Sequence, residues 1–311
     1  MATGNRFRSI YQKYHSQFYK NEEEWKLLFE SGHPQLAPLR DEMLKIGEAG
    51  VTRCALCRVP QLGYDEAIRL LRDNCGIPDL DRLVFENSSD TDEGHKSGIR
   101  RSKRNEQFCH CCDAYIEAFP GGADIEMPVL ITDVRGSTEV LKTCTPGEGA
   151  ILGLQLRQQI SAVATSMHGY MLQDRGDGYM HLFPYGFAPS NIEDRKCWAL
   201  KNAVISAVRL ASRTLIPTPS DGHLQLGIGL YHGPTYIGAP AIDSIPNRLD
   251  LVLTLGSAVA SIAAHLSDRA VAGTAVIADT TLQESGIDPD EHGWKISRIR
   301  DAEVPAWRIT P

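Results

Sequence analysis

The stretch Pro128–Thr138, PVLITDVRGST, constrains the chain more than any other. Val129, Leu130 and Ile131 form a short apolar run of the kind buried as a strand. Asp133 closes the run. Gly136-Ser137-Thr138 then opens a helix, whose first amides have no intrahelical partners. A strand that ends in a carboxylate and turns into a helix offers an anchor for a cation and amides for a phosphate. The same pattern also serves as a plain strand-to-helix turn with an acidic cap. The rest of the chain has to decide between the two.

With 311 residues there is room for two domains and at least one sizeable core. A net charge of -7 argues against a nucleic-acid binder, which needs a basic face. No apolar run approaches the ~20 residues of a membrane span. The first 25 residues lack the apolar segment of a signal peptide. A cytoplasmic setting is therefore expected, with no membrane partner. There the eight cysteines serve as thiols or metal ligands rather than disulfides.

In the N-terminal part, Phe7, Tyr11, Tyr14, Phe18, Trp25 and Phe29 recur at helical spacing and predict an amphipathic helix or helix pair. A second helix is read over 39–48. Cys54 and Cys57 form one C-x2-C pair, and Cys109 and Cys112 form another. Two such pairs in a reduced chain suit knuckles converging on one ion: tetrahedral zinc, or an iron–sulfur cluster. The alternative is a set of buried thiols. Between the pairs come a helix-like piece (64–74) and a polar loop (86–105). The basic run 95–104 reads as a solvated loop. Residues 119–127, FPGGADIEM, read as a turn-rich linker. The expected domains are a smaller, mainly helical four-cysteine region over 1–124 and a second domain over 125–311.

In the second domain a short helix starts at Ser137, and Pro146-Gly147 breaks the chain. A helix over 150–168 follows, with Leu152, Leu156, Ile160 and Val163 at helical spacing. Two strands, 170–173 and 179–183, flank a turn that carries Asp177 between Gly176 and Gly178. A helix is read over 201–215 and a strand over 223–230. That strand runs into a glycine-punctuated hairpin, 229–238. A short strand (251–255), a helix (257–266), a strand (274–277), a short helix (280–284) and two last strands (294–299 and 305–309) complete the domain. This order indicates an α+β fold of the ferredoxin-like sort, with helices on one side of the sheet.

Four motifs appear in series: TDVRGST (132–138), RGDGYMHLF (175–183), GIGLYHGPTYIG (227–238) and GSAVASIAAHL (256–266). Together they resemble the catalytic domain of class III nucleotidyl cyclases, over about residues 125–310. The two cysteine pairs and the PGGADIE that follows are similar to the N-terminal region of some bacterial members. The resemblance implies conversion of a nucleoside triphosphate to a 3′,5′-cyclic nucleotide and pyrophosphate by two divalent cations, Mn²⁺ or Mg²⁺. It assigns both cations to Asp133 and Asp177, with Val134 joining the metal set. It assigns the β- and γ-phosphates to the segment Val134, Arg135, Gly136, Ser137 and Thr138. It also implies a homodimer with composite active sites.

The base-reading positions depart from the family. Where adenylate cyclases carry a lysine, this chain has Gln173, and the usual second, acidic reader falls in LVLTLG. The helix that normally carries Asn and Arg offers Ser261 and His265 in one register, or Ala260 and Ala264 in an ungapped one. Arg298 and Arg300 are candidate triphosphate contacts. Both aspartates are kept while the purine readers are lost, and this resembles the pyrimidine cyclases of bacterial antiphage defence. Gln173, a donor and an acceptor at once, suits uracil, and cytosine remains open. Cyclic UMP made from UTP would then act through a separate effector. An adenylate cyclase with an unusual base pocket, and a catalytically silent dimeric binding module, are the competing expectations.

Overall fold

The computed structural model describes residues 18–32, 54, 102, 108–174, 178–213, 224–239 and 254–311. The helices expected over 39–48 and 64–74 lie outside them. So does the loop 86–105, except Ser102. The described residues fall into two compact units. One holds those of 1–124, 189–191 and 236–255; the other holds those of 125–188, 192–235 and 256–311.

In the first unit, α1 (Glu22–Lys26) continues as a π-helical turn, Leu27–Ser31, and α2 spans His110–Ala118. Trp25 and Phe29, four apart and on one face, stack with ring centroids 6.0 Å apart, and both are buried. Trp25 Nε1 donates to the Phe119 carbonyl at 2.9 Å, which satisfies the indole inside an apolar contact.

β1 runs from Gly121 to Arg135, so most of the expected linker is strand. The glycines misled the reading because they serve close approach rather than turning. A Cβ at Gly122 would overlap the Tyr236 hydroxyl and the Ile237 carbonyl. After β1 come α3 (Ser137–Thr143), α4 (Pro146–Ser166), β2 (Tyr170–Asp174) and β3 (Gly178–Leu182). Pro146 does not break the chain; it starts α4. Thr145 Oγ1 accepts from the Glu148 amide, and the Glu148 carboxylate accepts from the Thr145 amide, closing a capping box with proline at the first helical position. Then follow α5 (Arg195–Ala211), β4 (Gln225–Ala239), β5 (Thr254–Gly256), α6 (Ala258–Arg269), β6 (Ala275–Ala278), α7 (Asp279–Glu284), β7 (Lys295–Ile299) and β8 (Ala306–Thr310).

β4 is one continuous strand, where a strand and a hairpin were expected. Its glycines again answer to neighbours: a Cβ at Gly227 would overlap the Arg135 guanidinium. The α+β sheet has the order β2-β3-β1-β4-β6-β8-β7, with β5 paired to β4. β3 is antiparallel to β1 and to β2, β6 is parallel to β4, and β8 is antiparallel to β6 and β7.

Helices cover both faces of the sheet rather than one. Leu130, Leu226, Ile228, Leu230 and Ile277 pack with Ile160 and Val163 of α4 and with Val204 and Ala207 of α5. On the opposite face Val276, Ala278 and Ala306 pack with Leu266 and Ala270 of α6 and its end. β6 reads AVIA, buried at every position, which is what a strand covered on both sides requires. Among the described residues no helix is long and apolar enough to cross a membrane.

One core residue carries a pH signature. His181 of β3 is fully buried, and among the described residues neither ring nitrogen has a hydrogen-bond partner. Burial alone pushes its pKa down from 6.5 to about 3. Between these values the unfolded chain holds a proton that the native chain does not, so stability falls as the pH drops through this window. The expected slope is about 1.4 kcal/mol per pH unit for this one group. Urea titrations between about pH 6 and pH 4 should show it. His181→Leu should flatten it; an equal slope in that variant would assign acid sensitivity elsewhere.

Candidate active site

Asp133 stands near the end of β1, and its Cα partner across the sheet is Gly178, the first residue of β3. Asp177, the residue before Gly178, lies outside the described residues. Gly136 follows Arg135 with φ 70°, a left-handed angle that glycine takes without strain, and α3 begins at the next residue. Val134 is buried, while Ser137 is partly exposed and Thr138 exposed. Sequence order alone thus sets a carboxylate, a main-chain turn and a helix start within six residues.

The Asp133 carboxylate faces a recess of about 140 Å³ lined also by Ile131, Gly178, Met180, Ala264 and Asp268. Its charged donors, Asp133 and Asp268, are carboxylates, the ligands that suit Mg²⁺ or Mn²⁺. The cation it holds in this structure is Arg135. Arg135 Nη1 lies 3.3 Å from Asp133 Oδ2 and 3.9 Å from Asp268 Oδ1, and Nη2 donates to the Ser267 carbonyl. The guanidinium crosses β4 where residue 227 is glycine; a Cβ there would overlap it. A charged group thus stands at the carboxylate and is tethered to the end of α6. Nothing in the sequence pattern pointed to the Arg135–Ser267 tether or to Asp268, because their partners are over a hundred positions apart.

The pairing of β2 with β3 bears on Gln173. Tyr170 pairs with Leu182 and Met171 with His181, but Gln173 pairs with Met180, so Leu172 is the extra residue of a β-bulge. Without the bulge the partner of Met180 would be Leu172. Since a one-residue slip exchanges the two faces of a strand, the bulge puts position 173 in register with a residue that lines the Asp133 recess.

Other sequence candidates lie elsewhere. Ser261 and His265 share α6, and both are exposed; His265 Nδ1 is 2.8 Å from Glu303 Oε2. Of the alternative register, Ala264 lines the recess. Arg298 is on β7, with its guanidinium 5.6 Å from the Trp307 ring centroid. Strands β4, β6 and β8 separate β7 from β1. At about 4.8 Å per strand, that is roughly 19 Å from Asp133 within one chain.

The cysteines converge. The sulfurs of Cys54, Cys109 and Cys112 are buried and lie within 4.8 Å of one another. Cys57 lies outside the described residues. Cys109 is the N-cap of α2 and accepts from the Cys112 amide at 3.5 Å, while the Cys109 amide donates to Cys54 Sγ at 3.2 Å. Amide donors and a helix N-terminus lower the cost of thiolate charge, as a zinc knuckle requires. Ser102, from the basic run, is buried, and its hydroxyl bonds to the Asp113 carboxylate. If the cysteine cluster holds zinc, as the C-x2-C spacing predicts, removing Cys109 should release about one ion per chain and lower stability by several kcal/mol, because structural zinc binding is folding free energy. Metal analysis and melting of Cys109→Ser with and without chelator check this; identical melting of both proteins in chelator and in zinc would exclude it.

The sequence matches no family model and no curated protein. Among solved structures, the guanylyl cyclase Cya2 is similar at 20% identity and a TM-score of 0.46, covering 61% of this chain and 92% of that one. The adenylyl cyclase CyaB from P. aeruginosa is similar at 16% identity and a TM-score of 0.45, covering 61% and 96%. The monomeric guanylyl cyclase domain of the RhoGC fusion protein from the aquatic fungus Blastocladiella emersonii is similar at 14% identity and a TM-score of 0.45, covering 60% and 96%.

Proposed function

We propose that the chain is a class III nucleotidyl cyclase that converts UTP to cyclic UMP and pyrophosphate, as a second messenger in antiphage defence. The observation that carries the reading is the register of Asp133 on Gly178: it sets Asp133, two residues before the end of β1, beside the start of the strand that follows Asp177. Residues of the four motifs then take the following roles. Asp133, the Val134 carbonyl and Asp177 would hold two divalent cations. Bound there, Mn²⁺ or Mg²⁺ lowers the pKa of the 3′-hydroxyl and neutralises the leaving pyrophosphate. The segment Val134–Thr138 offers amides to the β- and γ-phosphates. With a cation there, Arg135 would keep Asp268, its neighbour at 3.9 Å, and the Ser267 carbonyl as partners.

The base falls to Gln173, which the bulge sets in register with Met180. Ser261 and His265, exposed on α6, serve a second chain's active site in a homodimer, and Arg298 reaches the triphosphate in the same way. The division into a four-cysteine region (1–124) that binds zinc and a cyclase domain (125–311), the cytoplasmic setting and a separate effector for the cyclic nucleotide belong to the same reading. Incubation of the purified chain with each of the four ribonucleoside triphosphates and Mn²⁺, with products identified by mass spectrometry, tests it. Cyclic UMP is the expected main product. Cyclic AMP alone would overturn the base assignment, and no cyclic product from any substrate would overturn the reaction.

A further inference from the structure

A second cluster of ligating side chains stands apart from Asp133. Glu126 lies on β1 seven residues earlier, about 23 Å away at 3.3 Å per strand residue. His232 of β4 and Glu284 of α7 complete the cluster. The His232 side chain is only 5% exposed. Its Nδ1 is 3.0 Å from Thr281 Oγ1, and its Nε2 points between two carboxylates, 3.5 Å from Glu126 Oε1 and 3.3 Å from Glu284 Oε2. All three ligand atoms lie within 4.8 Å of one another.

Those distances have a meaning. An ion bonded to nitrogen and oxygen at about 2.1 Å with tetrahedral angles holds its ligand atoms about 3.4 Å apart. The two edges at His232 have that length. The Lys196 ammonium, from the first turn of α5, stands over the same two oxygens, 2.9 Å from Glu126 Oε1 and 2.7 Å from Glu284 Oε2. A cation is therefore already held at this point. A lysine in the first turn of a helix sits at the unfavourable end of the dipole, so the carboxylates are what keep it there. A lysine bridging two glutamates needs no third group, yet His232 is aimed at the same oxygens and Thr281 fixes its other nitrogen, as outer partners of metal-ligating histidines do. Burial lowers the His232 pKa and favours the neutral imidazole, the form a metal takes. The hydrogen bond from Lys196 lowers that of Glu284, keeping the carboxylate ionised.

We propose that Glu126, His232 and Glu284 form a site for a divalent transition-metal ion, Mn²⁺ or Zn²⁺, with the Lys196 ammonium as the cation that competes for it. The site stands whether or not the chain cyclises nucleotides.

The test uses the full chain carrying Asp133→Asn, with Mn²⁺ as the first probe because it has little affinity for thiolates. Binding is read from the electron paramagnetic resonance signal of free Mn²⁺, and Zn²⁺ is followed by equilibrium dialysis. One ion should bind in a manner that Lys196→Met tightens and Glu284→Gln weakens, each by roughly tenfold or more. His232→Gln should weaken it at least as much. Glu284 is exposed, so its variant keeps the test alive should His232→Gln fail to fold. Affinity for both ions that responds to neither Lys196→Met nor Glu284→Gln overturns the site and leaves a lysine-bridged polar network.

Discussion

Asp133→Ala is expected to cut cyclic-nucleotide formation by about a thousandfold or more, with the fold left intact. The size follows from what the residue does in the proposed reaction. Asp133 is one of two carboxylates for the cations, and those cations carry several kcal/mol of transition-state stabilisation, each 1.36 kcal/mol of which is a factor of ten in rate. The fold survives because the carboxylate is 39% exposed and its partner keeps other company: Arg135 still donates to the Ser267 carbonyl and neighbours Asp268. An exposed pair of this kind contributes at most about 1 kcal/mol. The variant should therefore melt close to the parent while product formation, followed by mass spectrometry over a Mn²⁺ series, collapses at every metal concentration. Full turnover in the variant would remove Asp133 from the chemistry. A loss recovered at high Mn²⁺ would make it one weak ligand among several.

The end of the strand that carries Asp133 was legible because its signal is local: three apolar residues, an acid and a glycine turn, all within eleven positions. The same holds for the helix over Leu152, Leu156, Ile160 and Val163, where burial follows helical spacing. Glycine and proline misled where they answered to something outside the local chain. Gly121-Gly122 read as a linker but lie in β1, and Pro146 read as a break but starts α4. The bulge at Leu172, the Arg135 tether and the Glu126–His232–Glu284–Lys196 cluster had no signal to find. Each depends on which strands and helices become neighbours, and single-sequence periodicity does not carry that. The cysteines show the intermediate case: C-x2-C spacing implied convergence, and three of the four sulfurs lie within 4.8 Å.

The glycines of β4 give the second large expectation, and they also decide how α6 is placed. Gly229 pairs with Val276 on β6, on the sheet face that α6 covers. A Cβ at Gly229 would overlap the Ala263 carbonyl oxygen and the Ser267 amide nitrogen, and would stand 3.0 Å from the Leu266 carbonyl carbon. All of these are backbone atoms of α6, so no side chain can swing aside to relieve the overlap; the helix itself must lift. Gly229→Val should then cost about 3 kcal/mol or more, read as a melting temperature lower by about 6–12 °C. Gly153 on α4 is the opposite case. Its built Cβ meets no atom within 4 Å, and alanine there should stabilise the helix by about 0.5–1 kcal/mol. Because α6 also carries Ala264, Asp268 and the Ser267 carbonyl that tethers Arg135, lifting it disturbs the Asp133 recess as well. Gly229→Val should lose activity at temperatures where it is still folded, whereas Gly153→Ala should keep it. A Gly229→Val chain that melted with the parent would show that α6 rests on the sheet without needing the bare backbone of Gly229.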